Sequence, residues 1–229
     1  MNYFEPLNLL VNIRFFVFSF LLLLSAPLFS QTPSVFTLKF NLGINGCQVH
    51  GDTYDGYDKG GLYAGLGLNM AFSKVHQAEI GFVFSQKGAR KNSNPSKGDY
   101  DSYYLNLNYI DMPLLYRLNL NKRWFITLGP SVAYLISYKE MDDGTDVTGT
   151  PMGNEFNKFE LAVNAGLGAR IRDGFEVELR STNSILPVHD YGPGASNVYY
   201  QNPIAQLFNE GFYNNILTLF VSYTIKKKE

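Results

Sequence analysis

A chain of 229 residues with a formal net charge of −1 is long enough for one ordinary domain or one barrel, not several. Only 17% of its residues are charged and 15% are aromatic, a balance that favours strands and a boundary between water and an apolar phase. The near-zero charge excludes the basic excess of a nucleic-acid binder, and a single cysteine excludes a disulfide framework or a multi-thiolate metal site.

Residues 15–24 (FFVFSFLLLL) form a nearly pure apolar run. At ~1.5 Å per residue the run is too short to cross the ~30 Å core of a bilayer as a helix. With Arg14 ahead of it and the small Ser30 behind it, it predicts a secretory signal over 1–30 and a mature domain over 31–229. Cys47 lies too far beyond Leu24 to be an acylated cysteine of that signal, and is read as a free thiol.

From Ser34 onward apolar residues recur with a period of two, the signature of strands with one greasy and one polar face. The first segment sets Phe36, Leu38, Phe40, Leu42 and Ile44 against Lys39 and Asn41. The second runs from Leu62 to Phe72, and the third sets Ile80, Phe82 and Phe84 against Glu79 and Ser85. The fourth, 103–118, changes parity near Tyr109–Ile110, which predicts a bulge; beyond it Asp111 and Arg117 lie on the polar face. The fifth covers 124–136. The sixth carries Glu160, Asn164 and Arg170 opposite its apolar row, the seventh Glu176, Glu178 and Arg180, and the eighth covers 217–225.

The connections 45–60, 73–76, 88–102, 119–123, 139–158, 172–174 and 183–213 alternate long and short. That pattern predicts an all-β fold: an eight-stranded antiparallel up-and-down transmembrane β-barrel with short periplasmic turns and long extracellular loops. Eight strands leave inner space for side chains or one small ligand. The polar faces then place Lys39, Glu79, Asp111, Arg117, Glu160, Arg170, Glu176, Glu178 and Arg180 in a packed, nearly self-neutralising lumen. A three-residue loop of Arg172, Asp173 and Gly174 keeps Ile171 opposite Phe175 outside and sets Arg170 opposite Glu176 inside. The inverted, lipocalin-like arrangement would put all these charges in water around an apolar cavity.

Residues 109–116 (YIDMPLLY) resemble a strand of the PorT-like outer-membrane β-barrel family of Bacteroidetes-type bacteria. Residues 125–135 (FITLGPSVAYL) are similar to its following Gly-Pro strand, and 165–169 and 215–223 fit later strands. The resemblance covers the mature chain and implies an outer-membrane barrel shaped like OmpX or the membrane domain of OmpA. It implies little about activity, beyond a part in protein secretion for a minority of members. The chain departs from many barrels by ending on Lys226-Lys-Lys-Glu229 after Tyr223.

Nothing assembles into a catalytic or cofactor site. Ser184 and Ser196 flank His189-Asp190 in a Gly/Pro-rich loop that fixes no geometry, and His50, His76 and His189 are scattered. The Gly65-x-Gly67 and Gly166-x-Gly168 pairs lie within strands, where close packing explains them better than phosphate binding. Residues 202–211 read as a short capped helix in the longest loop. The expectation is therefore a non-enzymatic outer-membrane protein without cofactor, surrounded by outer-membrane lipid, whose loops meet an extracellular or envelope protein. A small-solute channel and a soluble periplasmic lipocalin-like carrier are the alternatives. The recognition surface is expected on loop 139–158, with the acids Glu140, Asp142, Asp143, Asp146 and Glu155, and on loop 183–213, with Tyr191, Tyr199, Tyr200 and Phe208.

Overall fold

The computed structural model describes residues 35–51, 56–151, 153–190 and 211–225. The expected signal, the short helix and the four loop aromatics Tyr191, Tyr199, Tyr200 and Phe208 lie outside the described residues. Eight long strands run in chain order: β1 (Val35–His50), β2 (Lys59–Ala71), β3 (His76–Lys91), β4 (Tyr103–Asn119), β5 (Trp124–Asp142), β7 (Phe159–Arg172), β8 (Phe175–Ser184) and β10 (Gly211–Ile225). Two-residue strands β6 (Thr145–Asp146) and β9 (His189–Asp190) fold back on β5 and β10. Each long strand pairs antiparallel with its neighbours, and β1 pairs with β10 from Leu38↔Ile225 to His50↔Tyr213. The sheet is thus a closed barrel of eight long strands, which leaves no unpaired edge.

Alternation decides which side of the wall each residue faces. Phe36, Phe40, Leu42 and Ile44 of β1, Ile80 and Phe82 of β3, and Leu128, Val132 and Tyr134 of β5 all lie exposed on the outside. Lys39, Asn41 and Asn45 of β1 and Glu79 and Ser85 of β3 are buried inside. The charges face inward and the apolar rows outward, opposite to the lipocalin-like arrangement.

Three details depart from the sequence reading. The extracellular ends are longer than expected: β1 continues to His50, β3 to Lys91 and β5 to Asp142, so Glu140 and Asp142 belong to a strand. β4 does not change parity. Tyr103, Leu105, Leu107, Tyr109, Asp111 and Arg117 are all buried on its inner face, and the irregularity sits on the partner strand. There Tyr109 pairs with Leu135 and Asn108 with Ser137, so Ile136 is the extra residue. At the β7–β8 turn Arg172 pairs with Phe175 across Asp173 and Gly174, tighter than the expected loop, and the register shifts at Ile171. Gly174 takes φ 80°, the left-handed conformation that the turn requires. The bulge absorbs the extra residue and Arg170 still lies opposite Glu176.

The motif at 109–116 has a packing role. The β3–β4 ladder is interrupted between Val83↔Asp111 and Ile80↔Leu114, where Pro113 offers no N–H. Gly81 faces the proline ring; a side chain there would press on Pro113 Cγ.

Candidate functional site

The inner face of the barrel divides into two regions. Toward the short turns it is an ionic network. Arg117 grips Glu176 with both terminal nitrogens, Nη1 to Oε2 at 2.7 Å and Nη2 to Oε1 at 2.5 Å, while its guanidinium lies 3.4 Å from the centre of the Phe125 ring. Gly168 makes room for that ring, since any side chain there would occupy it. Lys39 bridges Glu79 at 2.8 Å and Glu176 at 3.3 Å. Arg180 binds Glu178 at 2.7 Å, lies 3.9 Å from Glu79 and donates to Tyr63 Oη at 3.1 Å. Arg170 completes the expected pair with Glu176 at 3.3 Å. It is the outermost member, with a side chain 31% exposed against 1% for Arg117.

Halfway up, Lys87 joins Glu160 at 2.9 Å and Asp111 at 3.3 Å. Glu160 also accepts from Ser184 Oγ at 2.8 Å and from Asn214 Nδ2 at 3.2 Å. All eight acidic and guanidinium residues expected in the lumen are therefore brought into it, with Lys39. Sequence reasoning missed Lys87 and Lys59, both buried on the inner face. Lys87 immediately precedes, and Lys59 falls within, stretches read as loop. The inward parity of Ser85 and Lys87 was the signal that would have found the first.

Above this level the inner face is mainly apolar, with Lys59 and Glu140 the charged residues buried there. Tyr103, Leu105, Leu107 and Tyr109 of β4 pack with Val49, Ala89, Ala133, Leu135, Phe156, Val188 and Phe212 in one buried cluster. Cys47, a free thiol, is buried on the inner face, with Sγ 3.4 Å from the carbonyl of Gln86.

The extracellular end is built on this plug. Phe156 of the 143–158 loop packs on Tyr138, His189 and Phe212 with ring centres 5.1, 5.7 and 6.5 Å apart. The Glu155 carbonyl lies 2.6 Å from His189 Nδ1, and Asn157 donates from its backbone to Val188 O at 2.7 Å and from its side chain to Asp190 at 2.9 Å. The 143–158 loop is thereby joined to the residues 187–190 at the start of the next loop. His50 has its ring 2.9 Å from Asn215 Nδ2, and the described residues contain no group of three or more histidine, cysteine or acidic side chains placed to hold a metal.

The acidic residues of this end have different fates. Glu140, expected on the loop surface, is instead buried at 1% exposure because β5 runs past it and its side chain points inward. Its carboxylate accepts from Tyr103 Oη at 2.8 Å, from Asn154 N at 2.7 Å and from the Asn154 side chain. It holds the loop rather than facing a partner. Asp142 is exposed at the end of β5, and Asp143 accepts from Ser102 N at 2.8 Å, tying this loop to the 92–102 loop. Asp146 is exposed, and hydrogen bonds from Thr148 hold its carboxyl below the usual carboxylate range.

The sequence matches the family model described as an outer membrane protein beta-barrel domain over residues 29–190. No curated protein matches the chain. Ail, the attachment invasion locus protein of Yersinia pestis, solved in complex with the heparin analogue sucrose octasulfate, is similar at 13% identity and TM-score 0.46. That likeness covers 83% of this chain and 99% of that one. Neisserial surface protein A is similar at 8% identity and TM-score 0.46, over 83% of this chain and 98% of its own. AlkL in DMPC bilayers is similar at 13% identity and TM-score 0.39, over 87% and 95%.

Proposed function

Because this chain belongs to the outer membrane protein beta-barrel domain family and resides in the outer membrane, we propose that it is a non-enzymatic recognition protein working through its extracellular end. The observation that carries this reading is the interlock above the plug. Phe156, Asn157 and the Glu155 carbonyl fasten the 143–158 loop to His189 and Asp190, so this loop and residues 187–190 form one held surface. A surface held in one conformation loses less entropy when a partner binds. Asp142, Asp143 and Asp146 give it an acidic rim suited to a basic protein face. Tyr191, Tyr199, Tyr200 and Phe208, expected to take part in recognition, lie outside the described residues.

The ionic network and the apolar plug fill successive levels of the lumen, which supports recognition over solute passage. Kinship with the PorT-like barrels and service in the envelope or in secretion form the finer part of the proposal, supported by the 109–116 motif. Export by a signal over 1–30 is a further part, and an N-terminal mass beginning at Gln31 is expected.

The test is to replace 143–158 by a short Gly-containing turn. The barrel is expected to stay folded, with heat-modifiable migration on a gel, while salt-sensitive capture of its partner from intact cells is lost. Undiminished capture by the trimmed barrel overturns the reading, as would steady porin-like currents in a planar bilayer.

A further inference from the structure

The end of the barrel that carries the short turns opens into a cavity of about 390 Å³. In outer-membrane barrels this end faces the periplasm. The inner wall of the cavity is the ionic network: Lys39 and Glu176 line it and are held in turn by Glu79 and Arg117. Its rim is basic, with Lys122 on the β4–β5 turn and Arg170 and Arg172 at the end of β7. The acids facing them are Asp173 and Glu176, and Glu176 already answers Arg117, Lys39 and Arg170. The Arg170 guanidinium is fixed by Asn119 Oδ1 at 2.6 Å and by the Lys122 carbonyl at 3.2 Å.

A second feature points to a ligand that is more than an anion. Asn69 lines the same cavity and is only 7% exposed. Its side-chain nitrogen donates to Gln77 Oε1 at 2.7 Å, whereas its oxygen Oδ1 is buried without a hydrogen-bond partner. Buried acceptors are ordinarily satisfied. The cavity thus offers fixed cations on its rim and an acceptor without a partner in its wall. A peptide end has the matching pair of groups, carboxylates and backbone N–H donors. A volume near the lower end of the ~300–1,000 Å³ range of ligand pockets admits a chain end and not a folded domain.

We propose that this vestibule binds an acidic peptide end presented from the periplasm. Its carboxylates meet Lys122, Arg170 and Arg172, and one backbone N–H donates to Asn69 Oδ1. The site is separate from the extracellular surface and stands or falls independently of it.

The experiment titrates the barrel in lipid nanodiscs with triglutamate, with amidated triglutamine and with inorganic phosphate, read by calorimetry. Saturable binding of triglutamate but not of triglutamine is expected. Lys122→Gln with Arg172→Gln changes only rim residues, and should lower triglutamate affinity about tenfold or more with heat-modifiable folding intact. Asn69→Ala should weaken triglutamate while leaving any phosphate binding unchanged. Absence of saturable triglutamate binding overturns the proposal, and so does an unchanged affinity in the double rim variant. Equal binding of phosphate and triglutamate, both indifferent to Asn69→Ala, reduces the vestibule to a bare anion patch and overturns the peptide assignment.

Discussion

Along β4 the inward residues near the extracellular end are Tyr103, Leu105, Leu107 and Tyr109, whereas farther down the same face they include Asp111 and Arg117. The outer face reverses in step. Met112, Leu114 and Tyr116 are exposed below, while Asn106 and Asn108 stand above and join Gln86 and Ser137 in an outer chain of hydrogen bonds at 3.0–3.1 Å. The solvent outside the wall explains both halves. Where the wall meets hydrocarbon, apolar side chains face out and every charge must be paired within. Where it meets water, the ordinary rule returns and the apolar side chains fill the inside. The inversion near Ile110 and Asp111 marks the level at which the barrel leaves the membrane on that side.

The two halves should respond differently to truncation, and the largest loss belongs to the ionic half. Arg117→Ala removes both contacts to Glu176 and the stack on Phe125, and breaking a buried pair costs roughly 3–5 kcal/mol. Urea unfolding of the barrel in lipid vesicles should show that loss, and the double change of Arg117→Met with Glu176→Gln should recover a large part of it. A wild-type midpoint for Arg117→Ala would deny the network any energetic weight. In the apolar half, Leu107→Ala deletes a fully buried side chain, at a cost of about 3 kcal/mol by the usual cavity argument. Salt should leave that loss unchanged; a salt-dependent loss would mean that the plug is not apolar in solution.

Glu140 sharpens the comparison because it is a carboxylate at the apolar level. Its three hydrogen bonds hold Tyr103 and Asn154. Glu140→Ala should cost about 1–3 kcal/mol, felt in the loop more than in the barrel. Limited proteolysis should then cut within 143–158 while the heat-modifiable form persists, and an uncut loop would remove Glu140 from its holding role. Arg170→Ala should weigh least of the lumen changes, about 1 kcal/mol or below, because its side chain is partly wetted and Glu176 keeps Arg117 and Lys39. A loss matching that of Arg117→Ala would contradict this ranking.

The barrel and its ionic half were legible in the sequence because, within the membrane, alternation and function follow one rule. Glu79, Asp111, Glu160 and Glu178 sit opposite apolar residues on their own strands, so a period of two identifies them. The extracellular half was misread for the same reason. A parity change near Tyr109–Ile110 puts Leu105 and Leu107 on the same side as Ile110 and Met112, and requires a bulge in β4 that the structure does not contain. Their apolar character is shared, but the phase they avoid is water in one case and the charged lumen in the other. Glu140 was misplaced because an acidic cluster resembles a loop, and only the length of β5 shows that its side chain turns inward.

The smallest expected effect tests whether the extracellular loops behave as water-exposed structure. In the 92–102 loop Lys91 donates to Asp99 Oδ1 at 3.0 Å, and the backbone N–H of Asp101 reaches the same oxygen at 3.2 Å. The lysine hydrogen bond is the main cause that holds the Asp99 carboxyl below its ordinary value of 3.8. A carboxyl depressed in the folded state stabilises the loop at pH above its unfolded value, and that contribution is lost as pH falls through the folded one. Carboxyl NMR titration of the barrel in nanodiscs should therefore place Asp99 below 3.8, and Lys91→Gln should return it upward. Salt should shrink the shift, because both partners lie within reach of solvent. An Asp99 titration that moves upward in Lys91→Gln but ignores salt would place the hydrogen bond in a dry setting, and would move the water boundary outward past the 92–102 loop.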